Sequence, residues 1–299
     1  MRREEYGALG RQVGVPLSLS MLPWLDQVLA PMREGAGEHC LSDWSAGNLY
    51  LFRRVHGYRL HQGGFAHISG HAYDGAAHVI PLFDLATAPA SEMAELALGG
   101  RCFYPVSEAQ KSRLDPGRFR FSTSPDDADY LYPADNFRFY RGSMLGKKRN
   151  LMKQLLAAHV VRAEPFSSVW RDAAAHVLKK WMDDRGKGEG EADHLACLEA
   201  LEHARILGLE GFLFLADDEP AGFLLAEEMQ AGVFVIRFAK GLDCFKGIAQ
   251  YMFHHFCTAF HRPVRWMNFE QDMGLENFRR TKASYQPVGL LPKYRVFVR

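Results

Sequence analysis

The sequence is short of cysteine, of long apolar runs and of net charge, and each shortage excludes a class of protein. Its five cysteines show no C-x-x-C spacing and predict buried free thiols in a reducing compartment, without a disulfide framework. No apolar run approaches the ~18 residues of a transmembrane helix, and the N-terminus lacks the apolar core of a signal peptide. With 36 basic and 35 acidic residues the net charge is +1, so nucleic acid would need a local patch. These features predict a soluble cytoplasmic protein.

The first half of the chain mixes α and β signals. A length of 299 residues allows two domains, and the composition is that of a globular protein. Residues 16–22 are predicted as a strand, followed by a helix that begins at Pro23. Turn signals such as Gly63-Gly64 and Asp74-Gly75 divide residues 48–82 into the short strands of an antiparallel meander. Ser107-x-x-Gln110 has the spacing of a helix capping box.

The second half follows the order β-α-α-β-β-β-α-β-α-β. Three apolar segments between residues 211 and 239 predict a meander, and the third is apolar enough to be buried on both faces. It leads through Lys246 and Gly247 into a helix with a wide apolar face. The pattern predicts a boundary near residue 145, with domains at 1–145 and 146–299.

The turn at Lys246-Gly247 is a candidate phosphate site. A helix that starts after a glycine presents unpaired N–H groups and the positive end of its dipole. Gly247 lacks the Cβ that would keep a phosphate away from the backbone, and Lys246 adds a positive charge. An ordinary strand–helix turn with a surface lysine explains the same residues, and the spacing alone does not separate the two.

The order of elements in the second half resembles that of the Gcn5-related N-acetyltransferase fold. Glu219-Pro220-Ala221-Gly222-Phe223 resembles the turn before its third strand. Lys246-Gly247-Ile248-Ala249 lies where that fold has its pyrophosphate loop. Tyr285 followed by Gly289 resembles its tyrosine-then-glycine ending. One departure is Cys244, which stands where glutamine or arginine is usual.

Two longer stretches are more specific. DYLYPADNFRFYRGSMLGKKRNLMKQLL (129–156) and NFEQDMGLENFRRTKASYQPVGLLPKYRV (268–296) resemble a bacterial family related to the C-terminal domain of phosphatidylglycerol lysyltransferase, as does the region 42–60. The resemblance implies an α/β (α+β) fold of two tandem acetyltransferase-like domains, as in Fem-type aminoacyltransferases, with mixed, mostly antiparallel sheets flanked by helices. It also implies an aminoacyl-tRNA donor, no tightly bound cofactor, and an amide or ester product.

Five residues are candidates for the chemistry of acyl transfer, which needs a base, donors for the oxyanion and a means of protonating the leaving group. Glu227 ends a strand of the meander beside Glu228, and Glu270 and Asp272 follow the next predicted strand. Each could be the base, and each could equally be a solvated strand end or a helix N-cap. Tyr285 could be a general acid or a packed tyrosine.

Basic residues in the two resembling stretches are candidates for contacts to the phosphates of a tRNA acceptor end or a nucleotide. Arg280 and Lys282 cannot share one narrow helical face, so at least one is expected to be structural. A solvated helix end explains the first cluster equally well. The candidates are Lys147, Lys148, Arg149 and Asn150 in the first stretch, and Arg279, Arg280, Lys282 and Lys293 in the second.

Other readings remain open. His61, His67 and His71 would lie on the same face of a continuous strand, but glycines interrupt it. No acidic residue or cysteine lies at a spacing typical of metal ligands, so we predict no metal site. An acyl-CoA-dependent N-acyltransferase is the first alternative function, with acyl-CoA as the donor. A non-catalytic binding module of the same fold is the second. The acceptor is expected to be a small molecule or peptide. Peripheral membrane contact and the oligomeric state are left open.

Overall fold

The computed structural model describes residues 14–188 and 193–299. The strands are β1 (Val15–Pro16), β2 (Arg59–His61), β3 (His67–His71), β4 (Ala77–Pro81), β5 (Cys102–Val106), β6 (Phe119–Thr123), β7 (Asp129–Pro133), β8 (Val161–Pro165), β9 (Leu209–Ala216), β10 (Glu219–Gln230), β11 (Val233–Gly241), β12 (Trp266–Asn268), β13 (Gly289–Leu291) and β14 (Tyr294–Val298). The helices are α1 (Leu22–Arg33), α2 (Ala46–Leu51), α3 (Ala90–Leu96), α4 (Glu108–Lys111), α5 (Asp135–Phe139), α6 (Gly146–Ala158), α7 (Arg171–Asp183), α8 (His194–His203), α9 (Ile248–Ala259) and α10 (Glu276–Ala283).

The chain forms two compact units. The first combines residues 14–18 with Phe52–Ser122 and Tyr294–Arg299, and the second combines Leu19–Leu51 with Thr123–Lys293. Each sheet is mixed and mostly antiparallel, which confirms the predicted fold class. The predicted boundary near residue 145 divides the chain into two acetyltransferase-like domains rather than into compact units. It stays a prediction.

The first unit is built on a seven-stranded sheet of order β1-β2-β3-β4-β5-β14-β6. Val79 on β4, Phe103 on β5 and Val296 on β14 are fully buried on one face, where Met93 of α3 packs against them. The predicted capping box opens α4: the Ser107 hydroxyl accepts the Gln110 N–H at 3.2 Å, and the Gln110 side chain accepts the Ser107 N–H at 2.9 Å.

The second unit is built on a seven-stranded sheet of order β13-β7-β12-β11-β10-β9-β8. The predicted meander is β9-β10-β11, and the predicted element order runs from β8 to β13. Strand β7 comes from earlier in the chain and lies between β12 and β13. Helix α9 packs on one face through Phe256 and Phe260, which contact Phe212 and Phe234. On the opposite face, Val235 packs against Trp44.

Three local predictions are wrong. Only Pro16 of the region 16–22 belongs to a strand, because the chain turns into α1, where Leu22, Leu25 and Leu29 are buried at helical spacing. The meander begins at Arg59, since Ala46–Leu51 is a helix, and short apolar runs fit either structure. Of the five free cysteines, Cys244 is exposed, whereas the other four are buried as predicted.

The last predicted strand of the second half, an extended segment expected over residues 289–298, also divides. Its first part, β13, pairs with β7, and its second part, β14, pairs with β5 in the other sheet. Pro292 lies between them and has no N–H to continue a ladder. None of the helices in the described ranges is both long and apolar enough to cross a bilayer.

The buried His78 gives the first unit a pH-dependent stability. Burial, helped by the nearby His56, lowers the pKa of His78 from 6.5 to about 4. Its neutral ring packs edge-on against Tyr58 and Tyr104, at centroid distances of 5.9 and 5.6 Å. The stability contributed by the neutral form is complete above pH 6.5 and is lost as the pH falls towards 4, because the unfolded chain then binds the proton more tightly.

We therefore compare the drop in unfolding free energy from pH 7 to pH 4 in the two proteins. We expect this drop to be roughly 3 kcal/mol smaller in His78→Phe than in the wild type. Urea unfolding at a series of pH values measures this difference. His39→Phe, which replaces an exposed histidine, is the control and should follow the wild type. Parallel pH dependence of His78→Phe and the wild type would contradict the prediction.

Candidate active site

Strands β11 and β12 separate in the middle of the second sheet. Their parallel pairing covers Val233–Val235 and Trp266–Asn268, whereas β11 continues to Gly241. The register between β10 and β11 shifts at the same level, which leaves Arg237 as the extra residue of a β-bulge. Bulges bend a strand and redirect side chains. The bulge thus places one arginine where the two strands part.

Arg237 is the buried centre of the site. Its side chain is 1% exposed, and its guanidinium binds Glu227 at 2.8 Å and Glu270 at 2.5 Å. It also donates to the Ser42 carbonyl at 2.8 Å. Burial alone would lower the pKa of Arg237, but the two carboxylates more than compensate and raise it. The guanidinium therefore stays charged and holds both predicted glutamates.

Glu227 is fully engaged by protein groups. It lies opposite Val235 in the β10–β11 ladder, and the Ser45 hydroxyl is 2.7 Å from both of its carboxylate oxygens. The same hydroxyl accepts the Asn48 N–H at 2.9 Å at the start of α2. Ser45 and Arg237 thus fix the Glu227 carboxylate from two sides.

A second buried cation, Lys293, lies beside this group. Its side chain is 0% exposed, and its Nζ atom is 2.5 Å from Asp43, 2.7 Å from Asp129 and 2.5 Å from the Gln271 side chain. Burial opposes its charge, yet Asp129 and Asp43 raise the pKa of Lys293. Lys293 was predicted to contact phosphate, but here it is enclosed by protein oxygens.

Asp129 and Ser42 connect the two cations. The Asp129 carboxylate accepts the backbone N–H and the hydroxyl of Ser42 at 2.8 and 2.9 Å, and the Asn268 amide at 3.0 Å. Burial would raise the pKa of Asp129, but Lys293 and these donors lower it. Ser42 also accepts from Arg237 through its carbonyl, so one residue links both cations.

Glu270 occupies a strained turn after β12. Its φ of 58° lies in the left-handed region, and its N–H donates to the Asn268 side chain at 2.7 Å. Its side chain is 25% exposed, compared with 13% for Glu227. Burial raises the pKa of Glu270, although Arg237 opposes this effect. Glu270 is thus a partly exposed side chain whose carboxyl group has an increased affinity for a proton.

Asp272 has a structural environment. It is 0% exposed and accepts from Tyr130 Oη at 2.7 Å, from Arg279 Nε at 2.9 Å and from the Gly274 N–H at 2.9 Å. Burial opposes ionisation, but the donors, led by Arg279, lower the pKa of Asp272 to about 2. A carboxylate of such low proton affinity is poorly suited to act as a base.

Tyr285 lies on the α9 side of the sheet with another predicted residue. Its hydroxyl accepts from Gln250 Nε2 at 2.9 Å, and Lys148 Nζ lies 3.9 Å from its ring centroid. Burial raises the pKa of Tyr285 to about 12. Burial and the adjacent Lys147 lower the pKa of Lys148. The structure therefore forms a Tyr285–Lys148–Gln250 group on one face and the Arg237 group on the other.

The space beside Gly247 is filled by the chain itself. Gly247 has a φ of 101°, and a Cβ atom there would lie 2.1 Å from the Leu151 carbonyl oxygen of α6. Close packing of α6 thus explains the glycine without a phosphate. Of its neighbours in the predicted loop, Lys246 is exposed, Ile248 is buried and Ala249 is half-buried.

The remaining residues that were predicted to contact phosphate differ in exposure: some face solvent, and others bind backbone carbonyls. Arg149 donates to the Tyr140 carbonyl at 2.5 Å, whereas Lys147 and Asn150 are exposed. Arg280 is 78% exposed and pairs with Glu276, but Lys282 turns inward to backbone carbonyls. Arg280 thus faces solvent and Lys282 faces the protein, as expected for two residues that cannot share one narrow face of a helix. No group of three or more His, Cys, Asp or Glu side chains in residues 14–188 and 193–299 has the arrangement of a metal site.

Four residues of this group were not predicted from the sequence: Arg237, Asp129, Ser42 and Ser45. Arg237 did leave a signal, because it is the single charge within the apolar run VFVIRFA, and an arginine buried in a strand needs carboxylate partners. The two serines and Asp129 left none, since their roles depend on contacts between residues about 90 to 180 positions apart in the chain.

Comparison of the chain with known protein families identifies one that matches most of its length. The family model described as phosphatidylglycerol lysyltransferase, C-terminal, matches residues 38–297. A conserved protein of unknown function from Bacteroides thetaiotaomicron has a similar structure, with a TM-score of 0.79 and 19% identity over 96% of this chain and 99% of that one. L-PGS from Bacillus licheniformis has a TM-score of 0.58 at 13% identity, over 96% and 93% of the two chains.

FemX has a TM-score of 0.58 at 8% identity, covering 96% of this chain and 98% of its own. At these identities the structural likenesses establish a shared fold. No curated protein matches the chain significantly.

The buried ion pairs make the second unit sensitive to loss of Lys293. Lys293→Met leaves Asp129 and Asp43 without their cation, so we expect the unfolding free energy to fall by about 3–5 kcal/mol. Adding Asp129→Asn removes one of the uncompensated charges and should restore part of the loss. Denaturant unfolding measures both, with Lys246→Met at an exposed position as control. A loss below about 1 kcal/mol for Lys293→Met would contradict this account of the network.

Gly247 provides a separate test of the packing of α6. We expect Gly247→Ala to destabilise the protein by more than the ~1–3 kcal/mol of backbone strain, because its Cβ would also meet the Leu151 carbonyl. Gly289→Ala is the matched control, since the space around Gly289 is open, and its effect should stay within about 0.5 kcal/mol. Thermal unfolding compares the two variants, and equal midpoints would contradict the role of Gly247.

Proposed function

The chain belongs to the family of the phosphatidylglycerol lysyltransferase C-terminal region, and from this premise we propose that it transfers an aminoacyl group from an aminoacyl-tRNA to an amine or hydroxyl acceptor. The acetyltransferase-like fold and the fold shared with L-PGS and FemX support an acyltransferase. Fold alone does not define a reaction, so the proposal depends on the site. Because charged tRNA is a cytoplasmic substrate, the proposal places the reaction in the cytoplasm.

The observation that carries the proposal is the position of Glu270. Its side chain is partly exposed where β11 and β12 separate, and its carboxylate is fixed by Arg237 at 2.5 Å and has a raised pKa. Asp272 is buried with a pKa of about 2, and both oxygens of Glu227 are engaged. Among the predicted carboxylates, Glu270 is therefore the one suited to accept a proton from a substrate.

In the proposed reaction, the acceptor nitrogen or oxygen attacks the ester carbonyl of the aminoacyl-tRNA while Glu270 removes the acceptor's proton. A new amide or ester bond forms, and the ester bond to the terminal ribose breaks. The ribose hydroxyl leaves with the proton, which restores the carboxylate. Such a base contributes roughly a hundredfold to ten-thousandfold to the rate, and positioning of both substrates supplies much of the rest.

A local basic segment supports a nucleic-acid donor. Residues 136–163 contain seven Lys or Arg and no Asp or Glu, in a chain of net charge +1. Arg141, Lys147 and Lys153 of this segment are exposed. Exposed cations on one segment provide phosphate contacts without a global positive charge. Close packing against Leu151 also explains Gly247 without a phosphate, so this glycine does not favour acyl-CoA over charged tRNA.

The proposal predicts that Glu270→Gln slows transfer strongly while binding of charged tRNA is retained. Single-turnover transfer of radiolabelled amino acids, from a mixture of charged tRNAs to a panel of amines and hydroxyl compounds, should slow by roughly 10²–10⁴-fold. Glu276→Gln is the matched control, because Glu276 is exposed on the next helix. Wild-type rates in Glu270→Gln would exclude Glu270 as the base.

A second experiment distinguishes aminoacyl-tRNA from acyl-CoA as the donor. Absence of transfer by the wild-type protein from any charged tRNA, together with a rise in its unfolding midpoint in acetyl-CoA, would replace the proposal with an acyl-CoA-dependent transferase. A saturating ligand at about a hundredfold above its Kd stabilises by ~2.7 kcal/mol, which is enough to detect in a thermal scan.

A further inference from the structure

The ammonium group of Lys282 is surrounded by backbone carbonyls. It donates to the carbonyl oxygens of three consecutive residues: Phe269 at 2.6 Å, Glu270 at 3.2 Å and Gln271 at 2.5 Å. A lysine ammonium has three N–H donors, so these contacts use its full capacity. Lys282 therefore has a role other than the phosphate contact that its place in a basic cluster suggests.

The three carbonyls belong to the turn that carries Glu270. Carbonyl oxygens that converge on one point repel one another, and a cation at that point offsets the repulsion. The same turn holds Glu270 at a φ of 58° and Met273 at 55°, in a region that side-chain-bearing residues rarely adopt. Such a conformation persists only where its surroundings fix it. Lys282 is the cation placed to do so.

Helix α10 depends on the same contacts. None of its residues is buried, so it has no apolar anchor of its own. Arg279 connects it to Asp272 and Asp126, and Lys282 connects it to the turn. Lys282 thus acts on the backbone of the turn, whereas Arg237 acts on the carboxylate of Glu270.

We propose that Lys282 is a positioning residue that holds the 269–271 turn so that the Glu270 carboxylate faces the acceptor. The inference rests on the proposed function for its catalytic consequence, but its structural part can be tested without any substrate. Loss of the ammonium releases the three carbonyls, lets Glu270 leave its left-handed conformation, and moves the base away from its productive position.

The first test is hydrogen exchange, followed by mass spectrometry, of peptides that span residues 266–275. In Lys282→Met, which keeps the length of the side chain and removes the charge, these amides should exchange roughly tenfold faster than in the wild type. Arg280→Met removes one positive charge from the same helix at an exposed position and should leave them unchanged. Wild-type exchange in Lys282→Met would overturn the inference.

A chemical rescue covers the case in which Lys282→Met does not fold. Lys282→Cys, in a Cys244→Ser background that removes the exposed thiol, can be alkylated with bromoethylamine to restore an ammonium group at nearly the same distance. Exchange in the 266–275 peptides should be fast before alkylation and return towards the wild-type rate after it. Failure of the ammonium to restore protection would also overturn the inference.

The second test is kinetic and distinguishes this inference from the function on which it rests. With charged tRNA as donor, Lys282→Met should lower kcat roughly tenfold to a hundredfold and leave the KM for tRNA unchanged, because a base displaced by about 1 Å is that costly. A raised KM with the wild-type kcat would identify Lys282 as a phosphate contact and overturn the inference. Fast exchange in Lys282→Met, with no transfer by the wild type, would remove the proposed function and leave Lys282 as the residue that fixes the turn.

Discussion

The structure of the second unit depends on neutralising the buried charge of Arg237. A guanidinium that is 1% exposed is stable only if carboxylates surround it, and the chain supplies Glu227 from β10 and Glu270 from the turn after β12. The Ser42 carbonyl completes the set from a segment almost two hundred residues earlier. Residues 19–51 belong to the second unit, and Ser42 and Ser45 of this segment contact its buried charges.

The buried polar groups connect different segments around the point where β11 and β12 separate. Asp129 and Lys293 connect β7 and the end of β13 to Ser42, and Asp272 fixes the turn through Tyr130 and Arg279. Buried ion pairs add little to stability compared with apolar packing, but losing one partner is costly, and so they favour one arrangement over others. The arrangement they favour here leaves Glu270 as the more exposed of the two glutamates that bind Arg237. Under the proposed function, a rigid polar frame around this base would suit a reaction that relies on the positioning of two substrates.

Much of the fold was predictable, because it follows from local patterns. The apolar runs of β9, β10 and β11, the helical spacing of α9 and the Ser107 capping box each depend on a few neighbouring residues. The strands at 129–133 and 294–298 were harder to place, since each pairs with strands from a distant part of the chain. Glu227 and Glu270 were identifiable by residue type, and Glu270 also by its place after a strand. The prediction that Glu227 ends its strand was wrong, because β10 continues to Gln230. The common partner of the two glutamates was not identifiable, because a β-bulge at Arg237 depends on the register of two strands. Lys282 and Lys293 looked like phosphate contacts in the sequence, and only burial shows that their ammonium groups face inward.

In the proposed mechanism, this frame holds Glu270 as a carboxylate ready to accept a proton. The most direct measurement is an NMR titration of protein labelled with ¹³C at the glutamate δ-carbons, in which the signal missing from Glu270→Gln identifies Glu270. The account predicts that Glu270 titrates above the usual glutamate value of about 4.3, because burial outweighs the attraction of Arg237. A Glu270 signal that titrates at or below that value would contradict the account, since the ion pair with Arg237 would then make Glu270 a structural anion.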